Sequence, residues 1–224
     1  MDIIYEDDSI IVINKPAGLP VLPDGWEPDA PYLLKMLELE QAQPGQSGQG
    51  VWVVHRLDKI TSGVMVFART AEAHRQLNLQ FERHETHKVY HALVQGSPKW
   101  DEHTARHMLR VNVGHKHRTM VDHAKGKPAV THFRVLERFV KAALLEAVPE
   151  TGRTHQVRVH ASALGHPLLA DALYGAVESA LIQRPALHAF SLQIKHPASG
   201  QILDFTAPYP KDFKQALARL EGNA

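Results

Sequence analysis

His55-Arg56-Leu57-Asp58-Lys59-Ile60-Thr61-Ser62-Gly63-Val64-Met65-Val66-Phe67-Ala68 sets a charged loop directly against an apolar run. Its second half, Gly63 to Ala68, is continuously apolar and reads as a buried strand. Just upstream, Val51 to Val54 reads as another. The loop between the two carries Arg56 and Asp58. A carboxylate held at a strand edge beside a guanidinium is a candidate reactive centre.

Toward the N-terminus, Ile3 to Tyr5 and Ile10 to Asn14 are short β-branched runs around Glu6-Asp7-Asp8-Ser9, and they read as a hairpin. Asn14-Lys15-Pro16-Ala17-Gly18 then breaks the sheet. Pro31 to Gln41 reads as a helix, with proline in its first turn and Leu33, Leu34 and Leu37 on one face. The low-complexity run Gln41 to Gly50 reads as a loop inside a domain, not a linker between domains. Downstream, Thr70 is a good N-cap for a helix from Ala71 to about Arg83. Val89 to Val94 is a strand, ended by Gly96-Ser97-Pro98. Val130 to Arg138 and Ala142 to Val148 form a pair of strands. Leu187 to Ile194 and Gln201 to Phe205 form another pair, and Asp212 to Leu220 is a terminal helix. Strands outnumber helices and mostly arrive in adjacent pairs. That predicts an α+β fold: a large mixed, mainly antiparallel sheet with flanking helices.

The chain has 224 residues and no cysteine, so disulfides and thiolate chemistry are excluded. No apolar run approaches the roughly 18 residues of a membrane helix. The acidic start Met1-Asp2-Ile3-Ile4-Tyr5-Glu6-Asp7-Asp8 lacks the basic region of a signal peptide. Both facts fit a cytoplasmic protein. Net charge is only +1, but its distribution is uneven. From His103 to Lys127 the cations are Arg106, Arg110, Lys116, Arg118, Lys125 and Lys127, against the single acid Asp122. Such a stretch is either a solvated loop or a phosphate-binding surface, since counterion release depends on contacts made and not on overall charge. The pairs His103/His107 and His115/His117 have spacings that can hold a metal. No cysteine assists them and acids are sparse nearby, so exposed polar surface is the favoured reading and no metal is expected.

Taken with three further segments, the opening stretch resembles the RluA family of RNA pseudouridine synthases. Its signature is His-Arg-Leu-Asp, a variable stretch, then Thr-Ser-Gly and an apolar strand. The second match is Lys88-Val89-Tyr90, in which Lys88 and Tyr90 share one strand face. The third is Thr151-Gly152-Arg153-Thr154-His155-Gln156-Val157-Arg158-Val159-His160. Here the local alternation of Val157 and Val159 reads as a strand, whereas the resemblance implies a helix, ended by Gly165 with Pro167 beyond. The fourth, Leu187-His188-Ala189, is short. The resemblance covers roughly Ile4 to Pro208. It implies one pseudouridine synthase-like catalytic domain over 1–224, without the S4-type RNA-binding domain.

The resemblance also implies site roles. Asp58 is the catalytic carboxylate, and Arg158 is the arginine that pairs with it, keeping it ionised. Tyr90 lies against the target base, where stacking is worth about 1–3 kcal/mol. Arg56 fills the gap left by the extruded nucleotide, and Leu187 closes the uracil pocket. Lys88, Arg153, His155 and Gln156 complete the substrate-binding set. The implied reaction turns uridine into pseudouridine in an rRNA or tRNA stem-loop. Nothing is consumed, so no cofactor is needed. A monomer is the default expectation. Two other readings stand beside it. One is a non-catalytic RNA-binding or ribosome-assembly module of the same fold. The other is a glycoside hydrolase, which would want a second carboxylate that no motif here supplies.

Overall fold

The computed structural model describes residues 1–23, 30–41, 50–114 and 118–222. Its strands and helices make an α+β fold with a large, mainly antiparallel sheet and flanking helices. The expected run Gln41 to Gly50 falls almost wholly outside the described residues. The chain divides into two compact units.

The first unit comprises Met1–His87 and Ala189–Pro208. Strands β1 (Ile3–Glu6) and β2 (Ile10–Lys15) form the expected hairpin, in register at Tyr5↔Val12. Asp7 makes the turn, its Oδ1 accepting from the amides of Ser9 at 2.8 Å and Ile10 at 2.9 Å. Such Asx turns are why aspartate is favoured there. Helix α1 (Leu33–Gln41) buries Leu33 and Leu37 on one face. Strand β3 is shorter than expected, only Trp52–Val53, because Val51 and Val54 lie beyond its pairing with the next strand. Strand β4 (Ser62–Ala68) is buried at every position, which explains its unbroken apolar run. It pairs antiparallel with β2, Ile13 opposite Met65. Thr70 caps helix α2 (Ala71–Glu82), accepting from the Ala73 amide at 3.1 Å. Strand β10 (Leu187–Lys195) enters this unit at Ala189 and pairs with β11 (Ile202–Thr206).

The second unit comprises Lys88–His188 and Tyr209–Ala224. Its strands are β5 (His87–Gln95), β6 (Glu102–Val113), β7 (Arg118–Val121), β8 (Lys127–Arg138) and β9 (Ala142–Pro149). They run antiparallel in the order β5-β9-β8-β6-β7. The segment with scattered cations is therefore not a loop: β6 and β7 make a ribbon. Of the twelve β6 residues only Ala105 and Leu109 are buried, so apolar alternation could not announce it.

Helix α3 (Gln156–Ala163) settles the conflict over its segment against local pattern. Gln156 to Ala161 are all buried. Val157 and Val159 are not alternate residues of a half-buried strand but point to different sides of a buried helix, Val157 into the cluster with Phe133 and Val159 into one with Leu109 and Ala129. Gly165, at φ +81°, follows its end as expected. Phe133, Ala105, Leu145, Val157 and Leu168 pack in one core cluster. Helix α4 (Lys211–Glu221) docks by Phe213, Ala216 and Leu220 into a second cluster with Leu93, Phe139 and Leu144. Among the described residues no helix is long and apolar enough to cross a membrane.

Candidate active site

In the first unit the Asp58 turn is held from several directions. Leu57 is 7 % exposed and anchors it. The Thr61 amide donates to the Asp58 carbonyl at 3.0 Å, closing the turn, while the Asp58 side chain stays half-buried. The Lys59 carbonyl accepts from the Gly18 amide at 2.7 Å and from Lys15 Nζ at 3.3 Å. Lys15 is fully buried, and its ammonium also donates to the carbonyls of Pro16 at 2.9 Å and Leu19 at 2.8 Å. One buried cation thus ties the chain after β2 to the Asp58 turn, with charge-assisted bonds that offset its desolvation. Sequence reading took this region only as a sheet break and missed Lys15.

His55 fixes the other side of the turn. Its Nε2 accepts from the Val66 amide at 3.1 Å, and its ring stacks on Phe81 with centroids 4.5 Å apart. Arg56 is exposed. Gly63 follows the turn because β4 runs hard against β10. A Cβ at Gly63 would stand 2.1 Å from the Ala189 carbonyl oxygen, and φ is +120°, which side chains disfavour.

In the second unit Tyr90 stands on β5 opposite Ala147. It packs half-buried against the cluster that contains Leu187 and Val157. The structure therefore brings together the tyrosine and the leucine singled out in sequence. Lys88, two residues along β5, is half-buried, and burial pushes its ammonium pKa down.

The residues around α3 take more varied places. Gln156 is buried, and all four hydrogen-bonding positions of its amide are used within the chain. Oε1 accepts from Thr151 Oγ1 at 2.7 Å and the Arg153 amide at 3.0 Å. Nε2 donates to the Val130 carbonyl and Thr131 Oγ1, each at 2.9 Å. Gln156 therefore shapes the loop before α3 and has no amide atom left over for a substrate. Arg153 is half-exposed, its Nε at 3.4 Å from the Pro128 carbonyl. His155 precedes the helix in a left-handed conformation, φ +55°. Its Nδ1 lies 2.8 Å from the Tyr174 hydroxyl.

Arg158 is buried, and Asp171 grips it in a two-point ion pair. Nε donates to Oδ2 at 2.7 Å and Nη2 to Oδ1 at 2.9 Å. The Tyr174 ring lies below the guanidinium, 5.0 Å from its central carbon. Neither Asp171 nor Tyr174 was singled out in sequence. The only local signal is the turn Asp171-Ala172-Leu173-Tyr174-Gly175, which reads as a loop before Gly175 at φ +90°.

The cations of this segment point outward: Arg106, Arg110 and Arg118 on the ribbon, Lys125 in the turn after it and Lys127 at the start of β8 are all exposed. Arg110 lies 3.4 Å from Asp122. Lys116 and the pair His115/His117 lie outside the described residues. His103 and His107 sit on β6, and among the described residues no cluster of three metal-ligating side chains is present.

The family model described as RNA pseudouridylate synthase matches residues 9–163. A ribosomal large subunit pseudouridine synthase D from Zymomonas mobilis is 38% identical over 96% of this chain and 71% of its own length. An uncharacterized RNA pseudouridine synthase from Synechocystis is 40% identical over 98% of this chain and 69% of its own. Among solved structures, human RNA Pseudouridylate Synthase Domain Containing 4 superposes with a TM-score of 0.78 at 27% identity, covering 98% of this chain and 93% of that one.

Proposed function

Since this chain belongs to the RNA pseudouridylate synthase family, and is thus an enzyme that isomerises uridine to pseudouridine in RNA, we propose which residues do the chemistry and which RNA they serve. The reaction breaks the bond between N1 and C1′, turns the freed uracil and joins C5 to C1′. A proton leaves C5 and N1 gains one, so nothing is consumed and no cofactor is called for. The nucleotide must first leave its stack, at a cost of a few kcal/mol that is lowest in loops and distorted stems.

Asp58 supplies the carboxylate. Cleavage puts positive character on the sugar, and a carboxylate at C1′ stabilises it, as in glycoside cleavage. Attack at C1′ and proton removal from C2′ both fit this role. Tyr90 gives the base a ring to lie against, in an apolar cluster it shares with Leu187, and holds the freed uracil for reattachment. Arg158 presents a fixed guanidinium, and Arg56, Lys88, Arg153 and His155 serve the RNA. The exposed cations of the ribbon neutralise phosphates around the target.

The substrate is large-subunit ribosomal RNA, met in the cytoplasm. The observation that carries this choice is the high identity, over nearly the whole chain, to a relative whose name states that activity. Names of enzymes also favour catalysis over the binding-module reading. The test is tritium release from C5-labelled transcripts incubated with the purified chain. Release from large-subunit rRNA and not from tRNA is expected. Release from tRNA alone would overturn the choice of substrate.

A further inference from the structure

Arg158 is held by a group that no sequence motif marks, and we propose that Asp171 is the positioning residue that sets the direction of the Arg158 guanidinium, with Tyr174 as the floor beneath it. This rests on the role given to Arg158 above. Side-chain exposures of 6% for Arg158 and 1% for Asp171 put the pair out of water. A two-point pair fixes the plane of the guanidinium as well as its distance. Asp171 occupies the edge formed by Nε and Nη2. That orients the Nη1 edge and leaves its donors pointing away from Asp171.

The surroundings hold the carboxylate as firmly as the carboxylate holds the arginine. The Asp171 amide donates to the Leu168 carbonyl at 3.1 Å, and the Asp171 carbonyl accepts from the amides of Tyr174 at 3.0 Å and Ala176 at 3.1 Å. Tyr174 is itself pinned at both ends. Its hydroxyl accepts from the Thr119 amide at 2.9 Å and meets His155 Nδ1, while its carbonyl accepts from Ser162 Oγ at 2.8 Å. The ring therefore cannot slide from under the guanidinium without breaking bonds to β7 and to α3.

Backbone conformation supplies a second, independent observation. Ala170, which precedes Asp171, has φ +61°, and His155, which precedes α3, has φ +55°. Left-handed conformations are costly for residues with a Cβ and persist where the surroundings over-determine them. Two of them flank this one ion pair. The fold thus fixes the backbone close to each partner of the pair, at Ala170 beside Asp171 and at His155 one turn before Arg158.

The test compares Asp171→Asn and Arg158→Ala with the native enzyme, reading kcat and KM for RNA in variants shown to be folded by circular dichroism. An amide can present only one acceptor, so the guanidinium swings. Displacement of that kind costs about a hundredfold in kcat, while KM stays near native because Asp171, 1% exposed, does not itself reach RNA. Loss of activity in Arg158→Ala with native kcat in Asp171→Asn would overturn the positioning role and leave the role of Arg158 standing. Native activity in Arg158→Ala would instead overturn the role of Arg158 and this inference with it. Should Asp171→Asn not fold, the native protein still decides. The Arg158 Nε–H signal, assigned by its loss in Arg158→Lys, is expected to exchange slowly with water in nitrogen-edited spectra. Exchange at the rate of a solvated arginine would overturn the inference.

Discussion

Asp58 and Gln156 were both singled out in sequence, yet they do different work. Asp58 sits half-buried on a turn whose backbone is clamped by Thr61, and next to it Lys15 and Gly18 clamp Lys59. These backbone bonds fix the turn that carries the carboxylate, and the proposed role at one carbon of a flipped nucleotide calls for such positioning. We expect Asp58→Asn to lower turnover by at least about a thousandfold, roughly 4 kcal/mol in the barrier. RNA affinity should stay near native, and tritium release with a filter-binding assay checks both. Gln156 sits in a motif matched to substrate binding, but its amide is wholly occupied by the chain. Gln156→Ala should therefore cost stability, roughly 2–4 kcal/mol from buried groups left without partners. Urea unfolding reads the loss, and KM of the folded fraction should hardly move. The motif marked the position, but only the hydrogen-bond partners revealed what it does.

Among the elements, the β4–β10 contact and the β6–β7 ribbon show opposite sides of what a sequence displays. Gly63 was visible as part of a signature, and its reason is steric: β10 runs where a Cβ would go. Gly63→Ala should unfold the first unit or cost several kcal/mol, as overpacking combined with an unfavourable φ does. A loss of less than about 1 kcal/mol in urea unfolding would mean the strands can separate cheaply. The ribbon was visible only as charge. Neutralising Arg106, Arg110 and Arg118 together should weaken RNA binding at every sequence tested. It should also reduce the slope of log affinity against log salt by about 0.7–0.9 for each phosphate no longer neutralised. An unchanged slope would remove the ribbon from the RNA-binding surface. Helix α3 is the reverse case. Local alternation pointed to a strand, and the helix won because it is buried on most sides, so no polar face was left to show a period of 3.6.

For the molecule as a whole, buried histidines tie stability to pH. His160 and His91 are 0% and 6% exposed, and burial is the main cause that brings each pKa down to about 4, helped by His107 for His160 and by His188 and Arg134 for His91. Both are neutral in the fold at neutral pH. The unfolded chain takes up protons near pH 6.5, while the folded chain resists until about pH 4. Stability is therefore greatest above pH 6.5 and falls as pH drops from there toward 4. Urea midpoints measured from pH 7.5 down to pH 5 should decline. His160→Gln should flatten the decline, and a native protein with constant midpoints over that range would contradict it. The amino-acid sequence discloses the α+β class, most strands and helices α1, α2 and α4 through local periods and caps, and α3 only through the motif it belongs to. It also marked Asp58, Tyr90 and Arg158, because each of these is written in a local period, a cap or a short motif. How those groups are held depends on contacts between segments far apart in the chain. Lys15 reaches the Asp58 turn, Asp171 grips Arg158, Tyr174 lies beneath it, and Gln156 turns inward. Each of these contacts joins segments with no shared period or motif. Their cause is packing and the need of buried charges and amides for partners, and the chain finds those partners only once it has folded.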